Sequence, residues 1–360
     1  EPDNPEIPVV LGLEIHAQDG NWTNMVAMFD KAMSINPDKV VEVRGTLISV
    51  GDAVDNYTEF YWAKEFNVGV EQFKKIQEDP DNKPQYLETA ISHFQNAAII
   101  NPTDANTHAT LAKCYFDVGD TSAATNAALT AIEKNPESFQ ANFGAGQILI
   151  RAGASSEEVL PYYEKAASIE PSNGKVLQLL AGTYYDLSAI AKTHAKEALK
   201  DALQYGRDGE TVEEEKSLAA QEAYNATQLF FSSRSLEVFE NAISNEEDKK
   251  VKANLYFNLG VIHNQMKNYE DAEKSFDEAF YLDDEDYEAL EGMVLIYDSL
   301  GDQYLNGAEG FEKDMNEAYR WYRKAEKKIK DALIINPDES DEYKKILKQL
   351  RYKKGIAEGF

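Results

Sequence analysis

The amino-acid sequence predicts an all-α solenoid of stacked helical hairpins, and two observations lead to that prediction. Pro102, Pro136 and Pro171 stand 34 and 35 residues apart. A run with helical periodicity precedes each proline, at residues 90–100, 123–134 and 159–169. A fixed period of this length is typical of repeats whose units bury one continuous core by stacking on their neighbours, which leaves a curved array with a concave surface.

The stretch 105–136 shows how one unit is built. Its first helix places Leu111, Ala112 and Tyr115 on one face, and Gly119 ends that helix. The second helix carries alanines at i, i+4 and i+7, namely Ala124, Ala128 and Ala131. Asn135 ends it, because the residue before a proline is pushed out of the α region. The phrase Ile-Asn-Pro also ends at Pro37, Pro102 and Pro337, and we interpret it as punctuation between helices rather than as a binding motif.

Residues 253–284 repeat the pattern, with small side chains where two antiparallel helices must approach closely. The matching positions are Tyr256, Leu259, Gly260, Ala272, Phe276 and Ala279. This pattern resembles the tetratricopeptide repeat, a helix–turn–helix family with units of about 34 residues. His263 departs from the family pattern at the second aromatic position, and Asp284 departs at the closing proline. The resemblance implies a right-handed α–α superhelix of about seven to nine hairpins with a C-terminal capping helix.

The other units are stretched or less regular. We expect N-terminal hairpins with an extended or irregular segment in 1–104, regular units in 105–206, C-terminal units with an extended last unit in 207–337, and a capping helix and tail in 338–360. A break in the array is expected at 206–213. The positions that open or close these units are Phe29 and Ala32; Phe60 and Ala63; Ala90, Phe94 and Ala97; Ala145, Gly146, Tyr163 and Ala166; Ala181, Gly182 and Tyr185; Phe239 and Ala242; Leu290, Val294, Tyr297 and Gly301; and Ala325, Ile329 and Ala332.

Charge narrows the class of partner. The 360 residues carry a formal net charge of −28, which disfavours nonspecific binding to nucleic acid because phosphates are repelled. At 43% hydrophobic and 28% charged residues, the chain is not disordered by composition. No apolar run approaches the roughly 20 residues of a membrane-spanning helix. The acidity suits either solvated helix faces or a basic partner.

The resemblance also implies where a partner binds, because the family lines its concave groove with inward-facing residues of each first helix. Amide and aromatic side chains at these positions predict contacts to a peptide backbone and to apolar side chains. The alternative is that some of the phenylalanines only pack between repeats. The implied groove residues are Asn106, Lys113, Phe116, Gln140, Phe143, Gln147, Thr183, Asp186, Asn254, Phe257, Asn264, Glu288, Glu291 and Asp298.

The groove chemistry argues against one family subtype. A Lys/Asn/Arg clamp on a terminal carboxylate is disfavoured, since Lys113 has no basic partners at groove positions. The acids Glu288, Glu291 and Asp298 favour a basic segment at the C-terminal end of the groove. We therefore expect a scaffold that binds a protein or peptide in its groove; the alternative is a structural or assembly subunit of a larger cell-envelope complex. The oligomeric state stays open.

No catalytic or cofactor motif is present in the sequence. The five histidines form no H-x-x-x-H or HExxH pair, and no P-loop, GxGxxG or G-x-S-x-G occurs. Asp79 could open a calcium loop, but Pro84 and Ala90 occupy the places of its glycine and glutamate. Cys114, the one cysteine, has no evident base, and we interpret it as a buried thiol. We expect a protein without enzymatic activity, metal or cofactor.

Basic residues are concentrated near the C-terminus. Residues 313–354 hold 13 Lys/Arg and 8 Asp/Glu, so this stretch is positive although the chain is acidic. One interpretation is a docking surface for an acidic partner or an anionic membrane. The other, which we favour, is a helix face that complements acidic neighbours.

The compartment is open between two alternatives. A single cysteine fits the cytoplasm, whereas the proline-rich start at 1–8, the absence of an initial Met and the strong acidity fit an exported protein of the bacterial envelope. We expect the exported one.

Overall fold

The computed structural model describes residues 3–308 and 310–359, and the all-α prediction is confirmed. The chain divides into two compact units, one up to Ile169 and one from Glu170. Fifteen α-helices occur in the described residues. None of these helices is both long enough and apolar enough to cross a bilayer.

The N-terminal unit contains eight helices that pair in chain order. Helix α1 runs on into a short π-helix, Gly12–His16, which also packs against α2. Helix α3 pairs with α4, α5 with α6 and α7 with α8. The bounds are α1 Glu6–Leu11, α2 Trp22–Ile35, α3 Val50–Glu78, α4 Lys83–Ile100, α5 Ala105–Asp117, α6 Thr121–Lys134, α7 Phe139–Arg151 and α8 Ser156–Ile169.

A β-hairpin separates α2 from α3, where the sequence suggested only an extended or irregular segment. Strands β1 (Val40–Val43) and β2 (Thr46–Ser49) pair antiparallel. Arg44 and Gly45 form the two-residue turn with φ of 50° and 79°, the positive values that this tight connection requires. Val41 and Val43 turn into the core, so the ribbon is held by burial on one face.

The two units expected around Phe60 and Phe94 are one hairpin. Helix α3 runs unbroken for 29 residues, and its partner in the hairpin is α4. Phe60 is 57% exposed and closes no unit, whereas Phe94 is fully buried.

The C-terminal unit contains three hairpins and a last single helix. Helix α9 pairs with α10, α11 with α12 and α13 with α14, and α15 packs on α14. The last hairpin is extended, as the sequence predicted. The bounds are α9 Gly174–Asp208, α10 Thr211–Asn245, α11 Lys249–Gln265, α12 Tyr269–Leu282, α13 Tyr287–Asn306, α14 Met315–Ile335 and α15 Ser340–Glu358.

The break expected at 206–213 is instead a tight turn between α9 and α10, which have 35 residues each. Gly209, with φ of 80°, ends α9 in the left-handed conformation that favours glycine. Further along the hairpin, the hydroxyls of Ser188 and Ser232 lie 2.7 Å apart and Ser235 donates to the carbonyl of Ala181 at 2.7 Å. These buried hydrogen bonds fix the register of the two long helices.

The Asn-Pro phrase ends helices as predicted. Asn36, Asn101, Asn135 and Asn336 are the C-terminal caps of α2, α4, α6 and α14. The Asn135 side chain accepts from the backbone N–H of Glu137 at 3.0 Å, so it also shapes the turn into the next unit.

Close approach of paired helices rests on glycines of the first helix that face aromatic rings of the second. A Cβ built on Gly146 would lie 2.5 Å from the ring of Tyr163, a distance that real Cβ atoms do not show. The same relation joins Gly69 to Phe94, Gly260 to Phe276 and Gly301 to Tyr322. Each ring is thus flattened against the backbone of the partner helix, which is dense packing without a void.

We predict that Gly146→Ala destabilises the chain and that Gly144→Ala, its matched control two residues away on α7, does not. The added methyl at 146 meets Tyr163, and overpacking of this kind costs about 1–3 kcal/mol. A methyl at 144 meets nothing within 4 Å and gains up to about 1 kcal/mol of helix propensity. Urea unfolding monitored by far-ultraviolet circular dichroism measures both, and equal effects of the two substitutions contradict the packing account.

Cys114 is a second reporter of the N-terminal unit. Its side chain is fully buried with Phe94 and Leu111, and burial raises the pKa of the thiol to about 12. At pH 8 only about one thiol in ten thousand is ionised, and the thiolate is the reactive form. We predict that iodoacetamide labels the chain slowly in native buffer and fast in guanidinium chloride, measured by mass spectrometry. Fast labelling of the native chain would show that α5 is not packed as described.

Candidate functional site

An open cleft of about 770 Å³ lies in the N-terminal unit between residues of α3, α5 and α7, and we call it the aromatic cleft. Six predicted groove residues line it together: Asn106, Lys113, Phe116, Gln140, Phe143 and Gln147. They meet because α5 and α7 are first helices of consecutive hairpins and present the same face. The remaining lining residues are Phe66, Phe73, Ala109, Thr110, Asp117, Phe139, Gly144, Ile148 and Arg151.

The rings of the aromatic cleft are half-buried rather than sealed in the core. Phe139 and Phe143 stack with centroids 5.4 Å apart and planes at 16°. Phe116 packs partly against the core between α5 and α7 while it lines the cleft. Phe116 thus contacts the core of the repeat on one side and lines the cleft on the other, whereas Phe139 and Phe143 line the cleft as a stacked pair.

Two cationic side chains lie over aromatic rings that line the cleft. The Lys113 ammonium lies 5.6 Å from the ring centroid of Phe73, and the Arg151 guanidinium lies 5.1 Å from that of Phe116. Neither forms an ion pair within the described residues. A cation held over an aromatic face keeps its charge available to a ligand while its side chain is ordered. The carboxylate of Asp117 lines the same cleft.

Arg151, Phe66, Phe73 and Phe139 are lining residues that sequence reasoning missed. Arg151 stands four residues after Gln147 on α7, so the helical period contained the signal. Phe66 and Phe73 come from the preceding hairpin, and no local spacing identifies them.

The central predicted residues lie outside the aromatic cleft. Thr183 is buried and donates its hydroxyl to the carbonyl of Leu179 at 2.8 Å within α9. Asp186 is exposed on the same helix. Asn254 accepts from Gln178 at 3.2 Å, and Phe257 packs on Phe276 with centroids 5.6 Å apart. Asn264 is half-buried near the end of α11.

The acidic predicted residues Glu288, Glu291 and Asp298 line a second cleft of about 480 Å³ between α13 and α15, which we call the capped cleft. Tyr343 of α15 donates to Glu291 at 2.6 Å. Lys353 of α15 donates to Asp298 at 2.8 Å and also pairs with Asp302. Of these three acids, Asp298 is therefore paired with a cation of the chain's own last helix, and Glu291 accepts from a tyrosine of that helix.

Other basic residues of the stretch 313–354 also pair with acidic side chains of the same chain. Lys324 pairs with Glu273 at 3.4 Å and Lys328 with Asp277 at 3.4 Å, both across to α12. These contacts support the interpretation of a helix face that complements acidic neighbours. The exposed pairs contribute little stability each, since solvent screens them.

Potential metal ligands do not cluster in the described residues. No group of three or more His, Cys, Asp or Glu side chains among them is placed to hold a metal ion. Burial lowers the pKa of His263, whose Nδ1 is buried without a hydrogen bond. His93 Nδ1 lies 2.8 Å from a carboxylate oxygen of Glu65.

Two family models for the tetratricopeptide repeat match the chain, at residues 110–174 and at residues 253–286. Comparison with curated proteins finds no significant match. Among solved structures, the MamA protein shares 12% identity over 67% of this chain and 96% of its own, with a TM-score of 0.43.

Two further solved structures resemble this chain at a comparable level of identity and coverage. YrrB, a TPR protein with an unusual peptide-binding site, shares 14% identity over 73% of this chain and 96% of its own, with a TM-score of 0.41. A thermophilic TPR protein of Thermus thermophilus, TTC0263, shares 16% identity over 71% of this chain and 100% of its own, with a TM-score of 0.34. Likeness at this level says nothing about what this chain binds. Residues of α5 to α8 and of α11 and α12 therefore match the tetratricopeptide repeat, and in the structure these helices pair as hairpins.

Proposed function

We propose that the chain is a non-catalytic scaffold that binds an extended peptide segment of a partner protein in the aromatic cleft. One observation supports this most: six residues that the repeat pattern assigns to a groove surround a single open cleft. Half-buried rings there can receive apolar side chains, and the amides of Asn106, Gln140 and Gln147 can bond a peptide backbone.

The charges of the cleft refine the proposed ligand. The charged side chains that line the cleft are Lys113, Arg151 and Asp117. Their net charge is positive, although the chain as a whole is acidic. A segment with an apolar anchor next to an acidic residue satisfies both the rings and the cations. Such a contact is charge-assisted and stronger than a neutral hydrogen bond.

A test begins with selection of peptides from a random display library on the intact chain. We predict that Phe116→Ala with Phe143→Ala weakens the selected peptides by at least about tenfold, as loss of buried aromatic anchors does. The measurement is fluorescence anisotropy with a labelled peptide. Phe60→Ala is the matched control, because that ring is 57% exposed on α3 and lies outside the cleft.

Equal binding by the double variant, with unchanged circular dichroism, would contradict the proposal. The double variant Lys113→Gln with Arg151→Gln tests the acidic residue of the proposed ligand. If peptides that compete for one site bind this variant as tightly as the unchanged chain, only the acidic part of the proposal is contradicted.

A second candidate function, an assembly subunit, is favoured by α9 and α10. Between Thr211 and Phe231 no residue of α10 is buried, although the stretch is helical throughout. Large apolar side chains stand exposed along this hairpin, among them Leu203 at 60%, Leu229 at 59% and Phe230 at 59%. Exposed apolar surface on a regular helix pair is typical of an interface.

Sedimentation velocity over a concentration series tests this second candidate. Self-association predicts a rise in sedimentation coefficient that Leu229→Ser with Phe230→Ser abolishes. A monomer at every concentration contradicts self-assembly and leaves the scaffold proposal standing.

A further inference from the structure

A third cleft, of about 690 Å³, lies on the surface of α14 and α15, and its lining is strongly basic. We call it the basic cleft. One carboxylate, Glu326, and one tyrosine, Tyr319, are the other lining residues. The six cations are Arg320, Arg323, Lys324, Lys327, Lys330 and Lys354.

Glu326 organises the floor of the basic cleft. It is 8% exposed and accepts from Lys330 Nζ at 2.8 Å, from Arg351 Nε at 3.2 Å and from Lys354 Nζ. The hydrogen bond from Lys330, followed by that from Lys354, lowers the pKa of Glu326 to about 2, so it is charged at any physiological pH. One carboxylate therefore holds three cations, and two positive charges remain unbalanced.

Arg323 and Lys327 add to this excess. Both are exposed, and neither forms an ion pair in residues 170–308 or 310–359 of this unit. With Lys330 they stand at i, i+4 and i+7, on one face of α14. Among the described residues, Arg323 and Lys327 have no acidic partner like those that pair with Lys324 and Lys328, whereas Lys330 shares Glu326 with Arg351 and Lys354. Internal complementarity, which accounts for the other side of α14, does not account for this one.

The spacing of the cations suits an extended acidic peptide. Residues four apart on a helix are separated by about 6 Å along its axis. Alternate residues of an extended strand are separated by about 6.6 Å and point to the same side. Alternate side chains of such a strand can therefore meet Arg323 and Lys327, and Lys330 follows about 4.5 Å further along the helix axis.

We propose that the basic cleft binds a short segment of a partner protein in which Asp or Glu alternates with other residues. The i, i+4 and i+7 spacing of Arg323, Lys327 and Lys330 along one helix face favours such a segment, and an anionic membrane is the other occupant that the test distinguishes. The charge of the chain favours a short segment over nucleic acid, because outside 313–354 the chain is even more acidic and repels a long polyanion. The proposal concerns a different surface from the aromatic cleft and does not depend on it.

The test uses the full chain and a fluorescein-labelled decapeptide of alternating Asp and Ser, with alternating Asn and Ser as the neutral probe. Fluorescence anisotropy at low ionic strength is expected to show binding of the acidic probe only, and added salt is expected to weaken it. Arg323→Gln with Lys327→Gln is expected to weaken binding at least tenfold. Lys196→Gln with Lys200→Gln, which removes two exposed cations at the same i, i+4 spacing from α9, is the matched control and is expected to leave binding unchanged.

Three results overturn the proposal: no binding of the acidic decapeptide, equal weakening by the two double variants, or equal binding of the neutral probe. A parallel arm sediments the chain with phosphatidylcholine vesicles that contain phosphatidylserine. Cosedimentation that Arg323→Gln with Lys327→Gln abolishes, without binding of the decapeptide, assigns the cleft to a membrane and also overturns it. Unchanged thermal unfolding of both double variants confirms that either loss is local.

Discussion

The contact between a glycine of one helix and an aromatic ring of its partner is the constraint on which the rest of the structure depends. At Gly146 and Tyr163, as at Gly301 and Tyr322, the ring occupies the volume that any other side chain would fill. Paired helices are thereby fixed at a short distance before any ligand arrives. A hairpin held this closely has one arrangement, and the next hairpin packs on a surface already defined. The groove face of α7 lies on a helix held in this way through Gly146, so the proposed binding in the aromatic cleft carries little cost for ordering that helix.

Polar and charged side chains join helices of the C-terminal unit. Glu291 and Asp298 of α13 accept hydrogen bonds from Tyr343 and Lys353 of α15, a basic helix of the same chain. The capped cleft is therefore filled on one side by α15. The same basic stretch has a second side, around Glu326, on which cations outnumber acids. An acidic protein thus presents a locally positive surface here, as it does at the aromatic cleft, and such a surface attracts an acidic segment that the rest of the chain repels.

Much of the architecture could be predicted because its determinants are local. Asn135 ends a helix by virtue of the next residue, and the alanine spacing of α6 is visible within that one helix. Six of the fifteen residues that line the aromatic cleft followed from the register of α5 and α7. The contacts that could not be predicted are tertiary ones. Phe66 and Phe73 belong to another hairpin, and Lys353 contacts Asp298, which lies 55 positions earlier in the sequence. The β-hairpin was missed because two four-residue strands carry little periodic signal, and Gly209 suggested a break where it makes a turn.

Hydrogen–deuterium exchange of the full chain, with and without a peptide selected on it, tests most directly the claim that the aromatic cleft is a preformed binding site. We predict added protection in the parts of α3, α5 and α7 that line the cleft, with exchange in α4, α6 and α8 unchanged, because those helices are already packed. Protection that spreads equally through α4, α6 and α8 would show that the site forms only on binding. Protection confined to α9 and α10, with none in α5 or α7, would contradict the claim outright.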